Sequence, residues 1–166
     1  MPELGLNNEI AARIANFLIE IGLNVATAKI TEKTILPGIQ LDSGIVLVDE
    51  TKLLQPGDLL HEAGHVAVTP LTERQKLNGD VAQGPGEEMA AIAWSYAAAA
   101  HLGLDPAVVF HADGYRGGAG SMLENFREGR FIGLPMLQWM GMAFDQKQAR
   151  AVGVAAYPVM VKWLRD

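Results

Sequence analysis

Residues 61 to 65 read His-Glu-Ala-Gly-His, an H-E-x-x-H pattern that places two metal-ligating side chains around one carboxylate. On an α-helix, His61 and His65 lie one turn apart on the same face, so both imidazoles can point at one ion. Imidazole nitrogen is a ligand that suits Zn²⁺. Glu62 is expected to reach a water molecule at the metal and to take its proton as a general base. The pattern therefore predicts a Zn²⁺ site able to support hydrolysis.

A catalytic zinc site needs a third protein ligand and leaves one position open. The chain has no cysteine, and His101 and His111 are its only other histidines. Glu87 and Glu88 open the next predicted helix, whose alanine-rich sequence allows close packing on the motif helix. Both are candidates for the third ligand. We favour Glu88 because Ala91, three residues further on, lies on the same helical face and permits a close approach.

The elements around the motif predict an α+β fold. Apolar residues recur at helical spacing over residues 7–21, and three short β-compatible runs follow at 25–30, 35–41 and 44–49. A small, mostly antiparallel sheet fits these runs best. The motif helix is expected from Asp58, placed to cap it, to about Val68, and the helix carrying the third ligand from Gly86 or Glu87 to about Leu102.

The remainder of the chain predicts further C-terminal helices. Short helical segments are expected at residues 106–111, 121–128 and 134–144, and residues 159–164 form a last strand or helix. No repeat or linker divides the chain, so residues 1–166 are expected to form a single domain.

The H-E-x-x-H helix followed by a glutamate on a second helix resembles the gluzincin branch of zinc metallopeptidases, and most of all minimal zincins of the ImmA/IrrE kind. In those domains the second helix carries E-x-x-A-x-x-aromatic, a pattern that Glu88, Ala91 and Trp94 match here. The resemblance covers roughly residues 44–104. It implies a zincin-like fold in which His61, His65 and Glu88 bind Zn²⁺ and Glu62 activates water.

The resemblance also implies how a substrate binds. The family keeps an edge strand just before the motif helix, along which a peptide adds by β-augmentation, and residues 44–48 are the matching segment. The sequence HEAGH also occurs in FtsH-type peptidases, whose third ligand is an aspartate. That likeness leaves Asp80, Asp105 and Asp113 as weaker alternatives to the glutamate.

A donor that stabilises the oxyanion is expected near the metal. Tyr115 is the first candidate because it lies in a polar, glycine-rich stretch of the kind that borders pockets. His111 and Arg116, in the same stretch, are alternatives.

Composition limits the partners. The chain has 166 residues, 13 Lys and Arg against 19 Asp and Glu, and a net charge of -6, which argues against nucleic acid as a partner. The longest uncharged run has 16 residues, fewer than the about 20 needed to cross a bilayer. With no signal-like N-terminus and no cysteine, a cytoplasmic location is expected. A hydrophobic content of 49% is compatible with an oligomer but does not require one.

Taken together, these features predict a zinc-dependent hydrolase, and most of all a small metallopeptidase acting on a peptide or protein substrate. Two alternatives stay open at this point. One is a non-catalytic or regulatory zinc-binding domain on the same scaffold. The other is a metal-dependent amidase or esterase with a non-peptide substrate.

Overall fold

The computed structural model describes residues 4–79 and 84–166, in which α-helices surround a small sheet. The helices are α1 (Glu9–Glu20), α2 (Asp58–Ala67), α3 (Pro85–His101), α4 (Ala119–Arg127), α5 (Leu134–Trp139) and α6 (Gln146–Val152). The strands are β1 (Val25–Thr27), β2 (Ile39–Asp42) and β3 (Ile45–Val48). Short 3-10 helices span Leu71–Lys76, Pro106–Val108 and Tyr115–Gly117. The α+β class is confirmed.

The sheet has the order β1-β3-β2, with β1 parallel and β2 antiparallel to β3. It is therefore mixed, and its strands are shorter than the sequence predicted. Ser43 and Gly44 form the turn between β2 and β3, and both have a positive φ, of 50° and 79°. This tight turn folds β2 back onto one side of β3, while β1 pairs with the other side.

The position of β3 overturns one prediction. Residues 44–48 were expected to form an edge strand open to a peptide, but β3 is the central strand and is paired on both sides. The outer side of β2 is also partly occupied, because the amide of Gly79 donates to the carbonyl of Leu41 at 2.8 Å. Strand order depends on pairing between distant residues, which the alternation of one strand does not reveal.

Helix α1 forms as its periodicity predicts. The side chain of Asn8 caps it by accepting a hydrogen bond from the amide of Ala11. Ile14, Phe17 and Leu18 lie on its buried face. That face packs into a core shared by the sheet and by helices α2 to α5.

Helices α2 and α3 pack against each other at very short range, and this contact positions the motif. A Cβ atom on Gly64 would lie 2.9 Å from the carbonyl oxygen of Ala91 and 3.3 Å from Trp94. The small residues in the middle of H-E-x-x-H thus allow α3 to approach. Ala91 is the residue that was expected to permit this approach.

The N-terminus of α2 differs from the prediction. Gly57 is the N-cap, and Asp58 is the first helical residue and makes no capping hydrogen bond. A Cβ atom on Gly57 would lie 1.9 Å from the carbonyl oxygen of Val108, so the neighbouring 3-10 helix requires glycine there. Asp58 is therefore free to bond to another part of the chain.

The C-terminal segment closes the other end of α2. The amide of Arg165 donates to the carbonyl of Ala67 at 2.9 Å, and its guanidinium donates to the carbonyl of Val68 at 3.2 Å. Carbonyl groups at a helix end lack partners within the helix, so Arg165 satisfies two of them. The indole of Trp94 donates to the carbonyl of Trp163 at 2.9 Å, which ties the same segment to α3.

Three predictions for the C-terminal region need correction. Residues 159–164 form neither a strand nor a helix, and α5 ends at Trp139 rather than near residue 144. Helix α6 was not expected. The sequence does carry the residues that begin and end this helix. The side chain of Asp145 caps its N-terminus by accepting from the amide of Gln148, and Gly153 ends it in the left-handed conformation.

None of the helices in residues 4–79 and 84–166 is long and apolar enough to cross a membrane.

Candidate metal centre

The structure brings His61, His65 and Glu88 together at the contact between α2 and α3. The Nε2 atoms of the two histidines lie 3.2 Å apart. The carboxylate of Glu88 lies 3.4 Å from the Nε2 atom of His61 and 2.9 Å from that of His65. One atom from each residue falls within 4.8 Å of the others, so the three side chains can hold a metal ion.

These distances fit a tetrahedral ion. Ligand atoms that sit about 2.0–2.1 Å from Zn²⁺ at tetrahedral angles lie roughly 3.3–3.4 Å from each other. The separations of 3.2 Å between the two imidazoles and 3.4 Å from His61 to Glu88 are close to that spacing, and the 2.9 Å from His65 to the other oxygen of Glu88 is shorter. Two neutral imidazole nitrogens and one carboxylate are also the donor set that zinc accepts.

The electrostatics of the cluster favour an ionised carboxylate. Hydrogen bonds from His61 and His65 hold the pKa of Glu88 well below its usual range, while burial acts in the opposite direction. The Glu88 side chain keeps 42% of its surface exposed, whereas that of His65 keeps 4%. The two side chains therefore differ in access to solvent: the His65 imidazole is closed to it, and the Glu88 carboxylate is partly open to it.

The other candidates for the third ligand do not join this cluster. Glu87, the neighbouring residue on α3, is not part of the group of possible ligands. Asp105 caps the 3-10 helix at residue 106, and Asp113 accepts a hydrogen bond from Gln55. Asp80 lies outside the described residues. Among the residues that the structure describes, the geometry selects Glu88.

Glu62 lies on α2 directly after the first histidine and is only 8% exposed. A carboxylate removed from water needs a specific reason to be there, since burial of a charge is costly. Its burial at the position directly after His61 is consistent with the predicted role as a general base.

A second polar pair lies one turn before the cluster on α2. The Nε2 atom of His111 lies 2.6 Å from the carboxylate of Asp58, and both side chains are largely buried. Burial raises the pKa of Asp58, and the hydrogen bond from His111 opposes that shift. The Nδ1 atom of His111 is buried and has no hydrogen-bond partner among the described residues.

Tyr115 contacts the cluster directly. Its hydroxyl lies 3.0 Å from the Nδ1 atom of His61, and its ring meets the imidazole edge-on at 5.3 Å between centroids. Sequence reasoning placed Tyr115 at the site but did not foresee this partner. The hydroxyl lies on the side of the ring opposite to the nitrogen that faces Glu88. The side chain of Arg116, an alternative donor, lies outside what the structure describes.

A separate cavity of about 790 Å³ contains none of these residues. It is lined mainly by the segments around α5 and the start of α6, with Phe131, Leu134 and Tyr157 among its walls. Its walls carry no group of metal ligands, so the chemistry that the sequence predicts lies elsewhere.

Comparison of the chain with known protein families, with curated proteins and with solved structures finds no match.

Proposed function

We propose that this chain is a zinc-dependent hydrolase, and most of all a metallopeptidase on a zincin-like scaffold. The observation that carries the proposal is the mutual spacing of His61, His65 and Glu88 at 2.9 to 3.4 Å, with Glu62 between the two histidines on α2. In this proposal the first three residues hold the zinc ion.

Zinc, when bound there, would act as a Lewis acid on the substrate carbonyl and make a nearby water more acidic. Glu62 would take a proton from that water as its oxygen attacks the carbonyl carbon. As the bond from carbon to nitrogen breaks, Glu62 would pass the proton to the leaving nitrogen. Glu62 is buried and directly follows His61 in the chain, which supports this role, because a buried carboxylate needs a specific reason to be there.

His111 becomes the favoured candidate for the oxyanion donor. The Tyr115 hydroxyl is already paired with His61, whereas His111 has one nitrogen bonded to Asp58 and a second, Nδ1, without a partner among the described residues. An imidazolium paired with a carboxylate carries hydrogen on both nitrogens, and in that form His111 could donate its second N–H to an oxygen that gains negative charge.

One observation favours an amidase or esterase with a small substrate as the second candidate. The strand expected to receive a peptide, β3, is paired on both sides, and Gly79 covers part of β2. β-Augmentation at the predicted position is therefore closed to a substrate. The metal chemistry would be the same for a small amide or ester.

The test compares the wild-type protein with Glu62→Gln on a peptide library and on a panel of small amides and esters, with bound zinc measured in parallel. We expect one zinc per wild-type chain and a loss of hydrolysis of about 100-fold or more in the variant, with zinc retained. Glu87→Gln is the matched control, since it changes a nearby carboxylate that is not part of the cluster.

Each contrary result has a distinct meaning. Wild-type protein that binds no zinc would refute the site. Equal hydrolysis by wild type and Glu62→Gln would refute the role of the base. Zinc bound at one per chain without any hydrolysis would overturn the hydrolase and favour a binding domain.

A further inference from the structure

The two nitrogens of His61 have different partners. Nε2 faces the cluster, 3.2 Å from His65 and 3.4 Å from Glu88, while Nδ1 faces the hydroxyl of Tyr115 at 3.0 Å. A neutral imidazole carries one proton, so Nε2 offers a lone pair only when that proton is on Nδ1.

Tyr115 is placed to accept a hydrogen bond from that proton. With a cation at Nε2, the Nδ1–H group of His61 would donate to the hydroxyl oxygen of Tyr115, 3.0 Å away. The phenol would thus hold the imidazole ring with Nε2 toward the cluster.

The backbone of Tyr115 indicates that its placement is specific. Its φ of 54° lies in the left-handed region, which is unfavourable for a bulky side chain. Ring contacts with His61 and Phe110 hold the phenol in place at centroid distances of 5.3 and 5.6 Å. Unfavourable backbone geometry that is held by packing tends to occur at functional sites.

We propose that Tyr115 is a positioning residue that holds the His61 imidazole through Nδ1 and so presents Nε2 to a divalent cation. The proposal rests on the metal site of the proposed function. It gives Tyr115 a role different from that of an oxyanion donor, because the hydroxyl acts through His61 and not on the substrate.

The first measurement is zinc affinity, by competition with a chromogenic chelator. Tyr115→Phe keeps the ring and removes only the hydroxyl, and we expect its affinity to fall about 10–100-fold, the usual effect of losing a partner of a ligating histidine.

Tyr157→Phe is the matched control. Tyr157 is also a buried phenol bonded to α3, with its hydroxyl 2.7 Å from the carbonyl oxygen of Ala93, but it does not contact the cluster. Its affinity for zinc should stay at the wild-type value. Unchanged affinity in Tyr115→Phe, or an equal fall in Tyr157→Phe, would overturn the proposal.

The second measurement is proton exchange in the zinc-loaded protein. In ¹H–¹⁵N NMR spectra the Nδ1–H proton of His61 should exchange slowly with water in the wild type and faster in Tyr115→Phe. Equal exchange rates in the two proteins would overturn the inference. A failure to bind zinc would instead refute the proposed function, so the two failures are distinguishable.

Discussion

Replacement of Gly64 by alanine tests whether the close approach of α2 and α3 builds the metal centre. The added Cβ atom would lie 2.9 Å from the carbonyl oxygen of Ala91, about 0.4 Å closer than the roughly 3.3 Å at which carbon and carbonyl oxygen normally touch. The contact is with backbone, which cannot rotate away. We therefore expect α3 to move outward and to carry Glu88 away from the two histidines.

The magnitude follows from two opposing effects. Alanine in a helix is favoured over glycine by about 1 kcal/mol, whereas an extra carbon in a tightly packed core costs about 1–3 kcal/mol. Gly120→Ala isolates the first effect, because Gly120 lies in α4 and a Cβ atom there would meet nothing within 4 Å. Relative to Gly120→Ala, Gly64→Ala should have a free energy of unfolding lower by about 1–3 kcal/mol.

The assay is urea unfolding of the metal-free proteins, followed by tryptophan fluorescence and circular dichroism, with zinc affinity measured separately. In a chain of this size 1 kcal/mol corresponds to about 2–4 °C in Tm, so thermal unfolding gives an independent check. Zinc affinity should fall in Gly64→Ala and stay unchanged in Gly120→Ala. Equal stability and equal affinity in the two variants would refute the packing argument.

Three further variants test other parts of the account. Glu88→Ala should lower zinc affinity by about 100-fold or more while Glu87→Ala retains it, as measured by chelator competition; loss only in Glu87→Ala would mean that the wrong glutamate has been assigned. Hydrogen bonds from Thr51 and from the amide of residue 30 lower the pKa of Asp49 below 3.8, so its carboxylate stabilises the fold above that pH and the contribution is lost as pH falls through the lower folded value. Asp49→Asn should therefore have a lower urea midpoint than wild type near pH 7 and approach it near pH 3; a gap that does not depend on pH would contradict this. Arg165→Met should lower the free energy of unfolding by about 1–2 kcal/mol, because it removes the hydrogen bond from the guanidinium to the end of α2. An unchanged free energy of unfolding in urea would show that this hydrogen bond does not stabilise the protein.

The local parts of the site could be predicted from the sequence. His61 and His65 share a helical face because they are four residues apart, and this holds wherever the helix packs. Glu88 was preferred over Glu87 for the helical face that it shares with Ala91, although Ala90, three residues after Glu87, is equally small. The close approach that was expected at Ala91 is the one observed between Ala91 and Gly64.

The parts that depend on distant residues could not be predicted. The partner of Tyr115 is 54 residues away along the chain, and the partner of the Arg165 side chain is 97 residues away. Aspartate often caps helices, but Asp58 bonds to His111 instead. Gly57 takes the cap position, because the neighbouring 3-10 helix leaves no room there for a side chain. The central place of β3 likewise results from pairing with a strand far earlier in the chain.

A crystal structure of the zinc-loaded protein, with anomalous differences recorded at the zinc edge, tests the central claim most directly. We expect one strong peak, about 2.0–2.2 Å from the Nε2 atoms of His61 and His65 and from the carboxylate of Glu88. A peak bound to a different set of side chains, or no peak between α2 and α3, would contradict it.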